Sequence, residues 1–396
     1  MKRVYTLVVL AMLLPTSLMA QVLHNPYNSY GGNTPGYTNG YVSANGEYSD
    51  FIEAAQKGVG EAQYNVGVCC YEGIGTHVDY EAAVEWWLKA AEKGVTPAYY
   101  NLGLCYENGY GVLSDYEEAV KWYTLAADGG NARAQLNLGY CYEMGNGVEQ
   151  NYEMAASLYL KAAKLGEVEA QHNVAQCYYY GNGVDIDYAE AAKWFRKAAK
   201  RGVADSQFGL AMCYEYGLGV KQDYKKAVKW YREAAEQGSA YAQNNLALCY
   251  EKGKGVVQDD GEATKWYAMA AQGVVEAQYN LGVCYATGQG VVKNYEEAVK
   301  WYRKAANQGF VEAQYILGVC YANGQGVTQD HATAVEWFRK AAEQDDDSAQ
   351  YNLGVCYYNG LGVDKDEQMG IQLMSRAARK GNQSAQDTLR SLGLTW

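Results

Sequence analysis

The nonapeptide AQYNLGVCY stands at residues 277–285 and returns, letter for letter, at residues 349–357. A third copy with one change, AQYILGVCY, lies between them at residues 313–321. Each copy begins 36 residues after the one before it. Self-similarity at a fixed period of this length is the signature of a chain built from stacked structural repeats. The stretch therefore predicts a repeat protein.

The same motif extends over most of the chain. Only one step, from Ala242 to Ala277, is 35 residues long instead of 36. The composition agrees with repeated copying of one unit, because 39 Tyr, 44 Gly and 10 Cys stand against 4 Pro and 5 Phe. Related segments begin at Ala62, Ala98, Ala134, Ala170, Ser206, Ala242 and Ala385. Residues 48–396 thus hold a half-repeat cap, nine near-full repeats and a C-terminal capping helix.

Each copy has the pattern of two helices. In the second copy the first helix begins at Ala98 and stops at the pair Gly109 and Gly111, which supply a left-handed cap and a turn. Asp115 then caps the second helix, and Glu118 completes a capping box. The 35-residue step from Ala242 to Ala277 lacks one helical residue, so we predict an irregular helix end between residues 268 and 273. Equivalent caps stand at Asp79, Asn151, Asp187, Asp223, Asp259, Asn294, Asp330 and Asp366.

A tryptophan register in the second helices is expected to form the core. Its members are Trp86, Trp122, Trp194, Trp230, Trp266, Trp301 and Trp337, with Leu158 and Leu373 in the same slot. One helix pair cannot bury its apolar stripe alone, whereas stacked pairs build a continuous core. The predicted fold is all-α: a right-handed superhelical solenoid of stacked antiparallel helix pairs, with the first helices inside.

The N-terminal residues read as a processing signal and a linker. Lys2 and Arg3 precede an apolar run over residues 4–14, and Ala20 closes a region typical of cleavage sites. Residues 1–20 are therefore predicted to be a signal peptide, with an uncleaved anchor as the alternative. Residues 21–47 are rich in Tyr, Asn and Gly and predict a flexible linker. The chain is expected to be exported, to the periplasm or outside the cell.

These features together resemble a known family. The pattern A-x-x-x-L-G-x-x-Y-x-x-G-x-G-V, followed by D-Y-x-x-A, W and K-A-A-x-x-G, is similar to the Sel1-like repeat, a relative of the tetratricopeptide repeat. The resemblance covers the chain from about residue 48 to the C-terminus. It implies a scaffold or adaptor that holds other proteins along a concave surface. Some secreted relatives carry two cysteines per repeat that clasp the helices, but this chain has one.

The repeated cysteine is predicted to be a packing residue. Equivalent residues of stacked helices lie ~9–10 Å apart, beyond the roughly 7 Å between Cα atoms that a disulfide allows. Small buried thiols let helices approach closely. A bond between the neighbours Cys69 and Cys70 remains an open, strained alternative. The register holds Cys69, Cys105, Cys141, Cys177, Cys213, Cys249, Cys284, Cys320 and Cys356.

Enzyme signatures are missing from the sequence. The four histidines lack metal-ligand spacing, and no serine or cysteine stands in a nucleophile motif. We therefore expect no catalytic residue, no metal and no cofactor. The net charge of −12 argues against nucleic acid as a partner. No stable membrane insertion is expected after signal cleavage.

Binding is expected on the exposed, concave side of the first helices. Aromatic rings there offer contact area at low entropic cost, and Asn can bond an extended backbone. The partner is expected to be a protein or peptide; the alternative is a cell-wall-directed protein that binds or hydrolyses a glycan or lactam, as proposed for some cysteine-rich relatives. The candidate residues are Tyr64, Tyr100, Tyr140, His172, Phe208, Tyr279, Tyr315, Tyr351, Asn65, Asn101, Asn137, Asn173, Asn245, Asn280 and Asn352.

Overall fold

The computed structural model describes residues 48–396, which form twenty helices and no strand. The predicted signal peptide and linker lie outside these residues. The described chain divides into two compact units, one ending at Ala134 and one spanning Gln135–Trp396. The all-α prediction is confirmed, and within each unit paired helices follow one another at the repeat period.

Unit 1 begins with a short helix and continues with two helix pairs. In each pair we call the first helix the A helix and the second the B helix. Its core contains the fully buried Val66 and Leu102 together with Trp87. The helices are α1 (Tyr48–Gln56), α2 (Gly60–Glu72), α3 (Tyr80–Glu92), α4 (Thr96–Asn108) and α5 (Tyr116–Asp128).

Unit 2 continues the same alternation of A and B helices. Its separate core clusters each draw on one repeat and the A helix that follows it, as around Tyr302 and Leu317. The A helices are α6 (Ala132–Met144), α8 (Val168–Tyr180), α10 (Ala204–Tyr216), α12 (Ala240–Lys252), α14 (Val275–Thr287), α16 (Val311–Asn323), α18 (Asp347–Asn359) and α20 (Gln383–Ser391). The B helices are α7 (Tyr152–Lys164), α9 (Tyr188–Ala199), α11 (Tyr224–Glu236), α13 (Asp260–Ala270), α15 (Tyr295–Asn307), α17 (His331–Glu343) and α19 (Glu367–Arg379).

The predicted Asp and Asn caps and the glycine turn are confirmed, but the capping box is not, because the Asp115 amide donates to the Tyr106 carbonyl and Glu118 pairs with Lys121. Asp115 Oδ1 accepts a hydrogen bond from the Glu118 amide at 3.1 Å, and Gly109 ends α4 in the left-handed region at φ 73°. All the other predicted Asp and Asn caps accept a backbone amide in the same way. Such a cap satisfies a donor that the helix itself leaves unpaired.

The core aromatic of each repeat lies one residue beyond the predicted tryptophan. Trp301 is only partly buried, whereas the next residue, Tyr302, is 3% exposed. Adjacent helical residues point about 100° apart, so only one of the two faces the A helix. The tryptophan register as the core was therefore wrong for most repeats, although Trp194 and Trp266 are buried. The core series is Trp87, Tyr123, Tyr159, Phe195, Tyr231, Tyr267, Tyr302, Phe338 and Met374.

The irregular end of the short repeat is confirmed. Helix α13 has 11 residues, while its neighbours α11 and α15 have 13 each. Gly238 and Gly309 end those neighbours in the left-handed region, but Gly273 does not adopt it. The Val274 amide instead donates to the Ala270 carbonyl at 2.9 Å. The turn after α13 therefore absorbs the missing residue.

A glutamine links most repeats to the helix before them, a feature that the sequence analysis missed; in the second repeat Tyr99 takes the position and donates to the Ala91 carbonyl. Gln314 Nε2 donates to the Ala306 carbonyl at 3.2 Å, and Gln314 Oε1 accepts from Gln344 at 2.8 Å. The Ala306 carbonyl also accepts from the Gly309 amide at 3.0 Å, so the glutamine adds a second bond at this helix C-terminus. The same bond recurs from Gln63, Gln171, Gln207, Gln243, Gln278, Gln350 and Gln386.

Candidate functional site

The predicted binding residues form a row along the A helices within each unit, which we call the A-helix row. Four of them, Tyr64, Asn65, His172 and Asn245, are less than 9% exposed. Because these four side chains are buried, a partner cannot contact them, and the expectation that they are exposed was wrong. The others are partly buried: Tyr100, Tyr140, Phe208, Tyr279, Tyr315, Tyr351, Asn101, Asn137, Asn173, Asn280 and Asn352.

The row is also a seam between consecutive repeats. The Tyr64 side chain is hydrogen-bonded to Asn101, and Tyr315 makes the same bond to Asn352. His172 takes the tyrosine position in its repeat, and its Nδ1 lies 2.8 Å from Ser206 Oγ of the next repeat. Each of these bonds joins one A helix to the following one. The side chains predicted for a partner thus already hold neighbouring repeats together.

The tyrosines near the C-terminus do not face an open groove. The Tyr279 ring packs 5.7 Å from the core ring of Tyr302 and 5.3 Å from Phe310. Tyr351 Oη lies 3.1 Å from Thr388 Oγ1 of the last helix. One side of each ring is therefore occupied by the protein itself. The part that remains in solvent is available to a partner.

Carboxylates accompany the tyrosines of this part of the row. Burial raises the pKa of Tyr279, and the negative charge of Glu312 in the next A helix raises it further. Burial likewise raises the pKa of Tyr315, with a further contribution from Asp346 and Asp347. The phenols stay protonated at neutral pH. The accessible parts of the row are thus neutral rings beside negative charge.

The B helices present a different surface. Lys304 Nζ lies 3.9 Å from the centre of the Trp301 ring, and Lys340 lies 4.0 Å from that of Trp337. An ammonium over an indole face is stabilised by the ring quadrupole. The tryptophan register therefore lies under lysines at the surface in these repeats, where part of each indole remains accessible.

The ten cysteines are all buried as thiols. Burial raises the pKa of Cys105, Cys177, Cys213 and Cys249 to about 12. A thiol with such a pKa is protonated at neutral pH and is a poor nucleophile and a poor metal ligand. These side chains act as small apolar packing groups, as the sequence predicts.

A small polar cavity in unit 2 is lined by carboxylates. It measures about 40 Å³ and is lined in part by Glu251, Asp260, Tyr267 and Cys284. Tyr267 donates to Glu251, and Asp260 Oδ1 is buried without a hydrogen-bond partner. A water needs at least ~10–15 Å³, so this volume holds a few waters and excludes a sugar ring. Burial also raises the pKa of Cys284. The cavity gives no support to glycan or lactam hydrolysis.

The repeat geometry agrees with the match to a family model. The Sel1 repeat model matches nine consecutive segments: residues 60–95, 96–131, 132–167, 168–203, 204–239, 240–273, 275–310, 311–346 and 347–382. The chain belongs to the Sel1 repeat family. Each Sel1 repeat begins with an A helix and ends just after a B helix. The sixth repeat, 240–273, is the one with the shortened α13.

Two solved Sel1-type structures are similar over most of the chain. One is a protective antigen of uropathogenic Escherichia coli that displays an SLR fold, with 35% identity and a TM-score of 0.70 over 89% of this chain and 84% of that one. The other is a Sel1 repeat protein from Oxalobacter formigenes, with 29% identity and a TM-score of 0.61 over 91% and 98% of the two chains. A comparison with curated protein sequences gave no match.

Residues 48–396 lack two other kinds of site. No helix in this range is long and apolar enough to cross a membrane. No cluster of three or more His, Cys, Asp or Glu side chains in this range could hold a metal ion.

Proposed function

We propose that this Sel1 repeat protein is a non-catalytic scaffold that binds a protein or peptide along the A-helix row of unit 2. The observation that supports this is the recurrence of partly exposed tyrosines at one position in three consecutive repeats, at Tyr279, Tyr315 and Tyr351. Tyrosine is enriched among the residues that contribute most to protein interfaces. Because the repeats place these rings at regular intervals, an extended segment can contact several in turn.

The carboxylates beside the rings suggest which variant tests the proposal. Glu312 lies in the A helix α16 near Tyr279, at the edge of the A-helix row, while Glu336 is exposed on the B helix α17. We expect Glu312→Lys to reduce recovery of the partner at least tenfold when the tagged chain is purified from its own cells. Glu336→Lys is the matched control and should leave recovery unchanged. Equal loss with both variants, or with neither, would count against the A-helix row.

We further propose that the scaffold is exported, because residues 1–20 have the pattern of a signal peptide. The chain would then meet its partner in the periplasm or outside the cell. Mass spectrometry of the chain recovered from the exported fraction should give an N-terminus at Gln21. Recovery of the full-length chain from the cytoplasm alone would contradict export and would leave the proposed binding surface untouched.

A further inference from the structure

Large apolar side chains are exposed together where the A helices of unit 1 pass into the B helices. The loops over residues 73–79 and 109–115 carry Val78, which is 51% exposed, and Leu113, which is 91% exposed. Ile74, Tyr80 and Tyr110 are also exposed there. We call these five residues the loop-edge patch. Contacts among Tyr71, Tyr80 and Tyr110 join the two loops, and contiguous exposed apolar side chains are typical of an interaction surface.

The aromatic part of the patch is a packed cluster. The Tyr80 ring stacks on Tyr110 at 5.3 Å and lies 5.0 Å from Tyr71. Gly111 adopts φ +70°, and a Cβ there would overlap the backbone carbonyl of Tyr80. The loop of one repeat therefore rests directly on the first turn of the preceding B helix. The patch is a pre-formed surface, so a partner binds it at little entropic cost.

The charge around the patch is predominantly negative, with one lysine, Lys121, paired to Glu118 at its edge. Asp79, Glu81, Asp115 and Glu117 stand at the first turns of α3 and α5, and both glutamates are exposed. The sequence has no Lys or Arg between residues 58 and 88 or between residues 94 and 120. An anionic rim attracts cationic groups and repels a nucleic acid or an anionic lipid surface.

In unit 2, two of the four tyrosine rings at the equivalent position carry a lysine ammonium. Tyr224 and Tyr295 occupy the position of Tyr80 in their repeats, each directly after its cap residue. Lys254 Nζ lies 5.2 Å from the centre of the Tyr224 ring, and Lys293 Nζ lies 4.7 Å from that of Tyr295. In these repeats the chain supplies its own ammonium to the ring. Within residues 48–396 no lysine takes this place at Tyr80, and the ring of Tyr110, from the loop that follows α4, stacks on the Tyr80 ring instead.

We propose that the loop-edge patch binds a segment of a partner protein in which Lys or Arg residues alternate with apolar ones. The apolar side chains contact Val78 and Leu113, and the cations meet the tyrosine faces and the carboxylates of Glu81 and Glu117. This surface is separate from the A-helix row. The proposal therefore goes beyond the proposed function and fails or holds independently of it.

The test uses defined peptides and the purified full chain. A short fluorescent peptide of alternating Lys and Leu is titrated and its anisotropy followed, beside a Glu–Leu peptide and a Lys–Ser peptide of equal length. We expect the Lys–Leu peptide to bind at least about tenfold more tightly than either control. Equal binding of the Glu–Leu or Lys–Ser peptide, or no binding of the Lys–Leu peptide, would overturn the proposal.

Matched variants locate the peptide on the chain. Glu81→Lys combined with Glu117→Lys should weaken Lys–Leu binding about tenfold, and Leu113→Ser should weaken it about threefold. Glu296 and Val292 occupy the equivalent positions in a repeat of unit 2, and Val292 is 88% exposed. Glu296→Lys and Val292→Ser should leave the affinity unchanged. An equal loss with these two would mean attraction to the acidic chain as a whole and would refute a site at the patch.

Discussion

Gly282 lies so close to the ring of Tyr302 that a Cβ on the glycine would sit 2.6 Å from two ring carbons. The A and B helices of this repeat therefore approach so closely here that only glycine fits opposite the ring. The same relationship holds between Gly103 and Tyr123 in unit 1 and between Gly318 and Phe338 in unit 2. The contact fixes which of two adjacent aromatic residues is the core residue.

Replacing the two adjacent aromatics separately tests this assignment. Tyr302→Ala should lower the free energy of unfolding by about 3–5 kcal/mol, because it leaves a cavity against Gly282. Trp301→Ala should cost about 1–2 kcal/mol, since the indole is partly exposed and lies under Lys304. Urea denaturation of both variants gives the comparison. A larger cost for Trp301→Ala would restore the tryptophan register as the core.

The buried glutamine makes a second prediction about stability. Gln314→Ala should destabilise by about 1–3 kcal/mol, because the Ala306 carbonyl and the Gln344 amide both lose a partner. Gln325 is exposed in the loop that follows α16, and Gln325→Ala is the matched control with little expected effect. Thermal unfolding followed by circular dichroism distinguishes the two. Equal melting temperatures would show that the link between repeats contributes nothing.

The carboxylate of Asp345, in the loop between α17 and α18, is expected to make the stability of the chain depend on pH. Asp345 is the one non-glycine residue among 48–396 with a positive φ, 71°. Hydrogen bonds from Lys380 and then Gln350 lower the pKa of its carboxyl to about 2. Because the pKa of an unfolded Asp is about 3.9, the stabilisation is present above that pH and is lost as the pH falls toward 2.

The matching variant is Asp345→Asn, since Asn tolerates the left-handed region but carries no charge. We expect it to melt below the original chain at neutral pH and to converge with it near pH 2. A constant difference between the two melting temperatures across this range would show that the charge of Asp345 is not involved.

The burial of the cysteine thiols predicts that they react slowly with an alkylating reagent in the folded chain. Raised pKa values and burial keep the thiols protonated, so alkylation of the native chain near pH 8 should modify few of the ten. After unfolding without reductant, most should react, as counted by mass spectrometry. Four or five pairs that resist alkylation until reduced would instead indicate disulfides between repeats.

Local features of the fold could be predicted because one short segment determines each of them. The cap at Asp115 and the turn at Gly109 depend on residues within a few positions, and the structure has both. Burial of Tyr302 in place of Trp301 could not be predicted, since both are large, apolar and adjacent, and only the approach of α14 distinguishes them. The recurring Gln at the position of Gln314 was a signal in the repeat alignment that could have been used.

The candidate site was predictable in position but not in exposure. The period places Tyr64 in the row of unit 1 and Tyr315 in the row of unit 2, but their bonds to Asn101 and Asn352 depend on how the next repeat packs. The repeat motif alone does not predict these contacts between consecutive repeats, because tyrosine and asparagine are both polar and can equally well face solvent. The structure therefore makes the row both a seam and a surface.

Photo-crosslinking in a culture of the producing organism, with cells and medium both analysed, tests the central claim, that a protein binds the A-helix row, most directly. A photoreactive phenylalanine analogue replaces Glu312 at the edge of the row or, in a separate variant, the exposed Glu336 on the B helix α17. We predict one adduct of discrete mass, containing a second protein, from position 312 and none from position 336. No adduct at position 312, or the same adduct at both positions, would contradict a partner on the A-helix row.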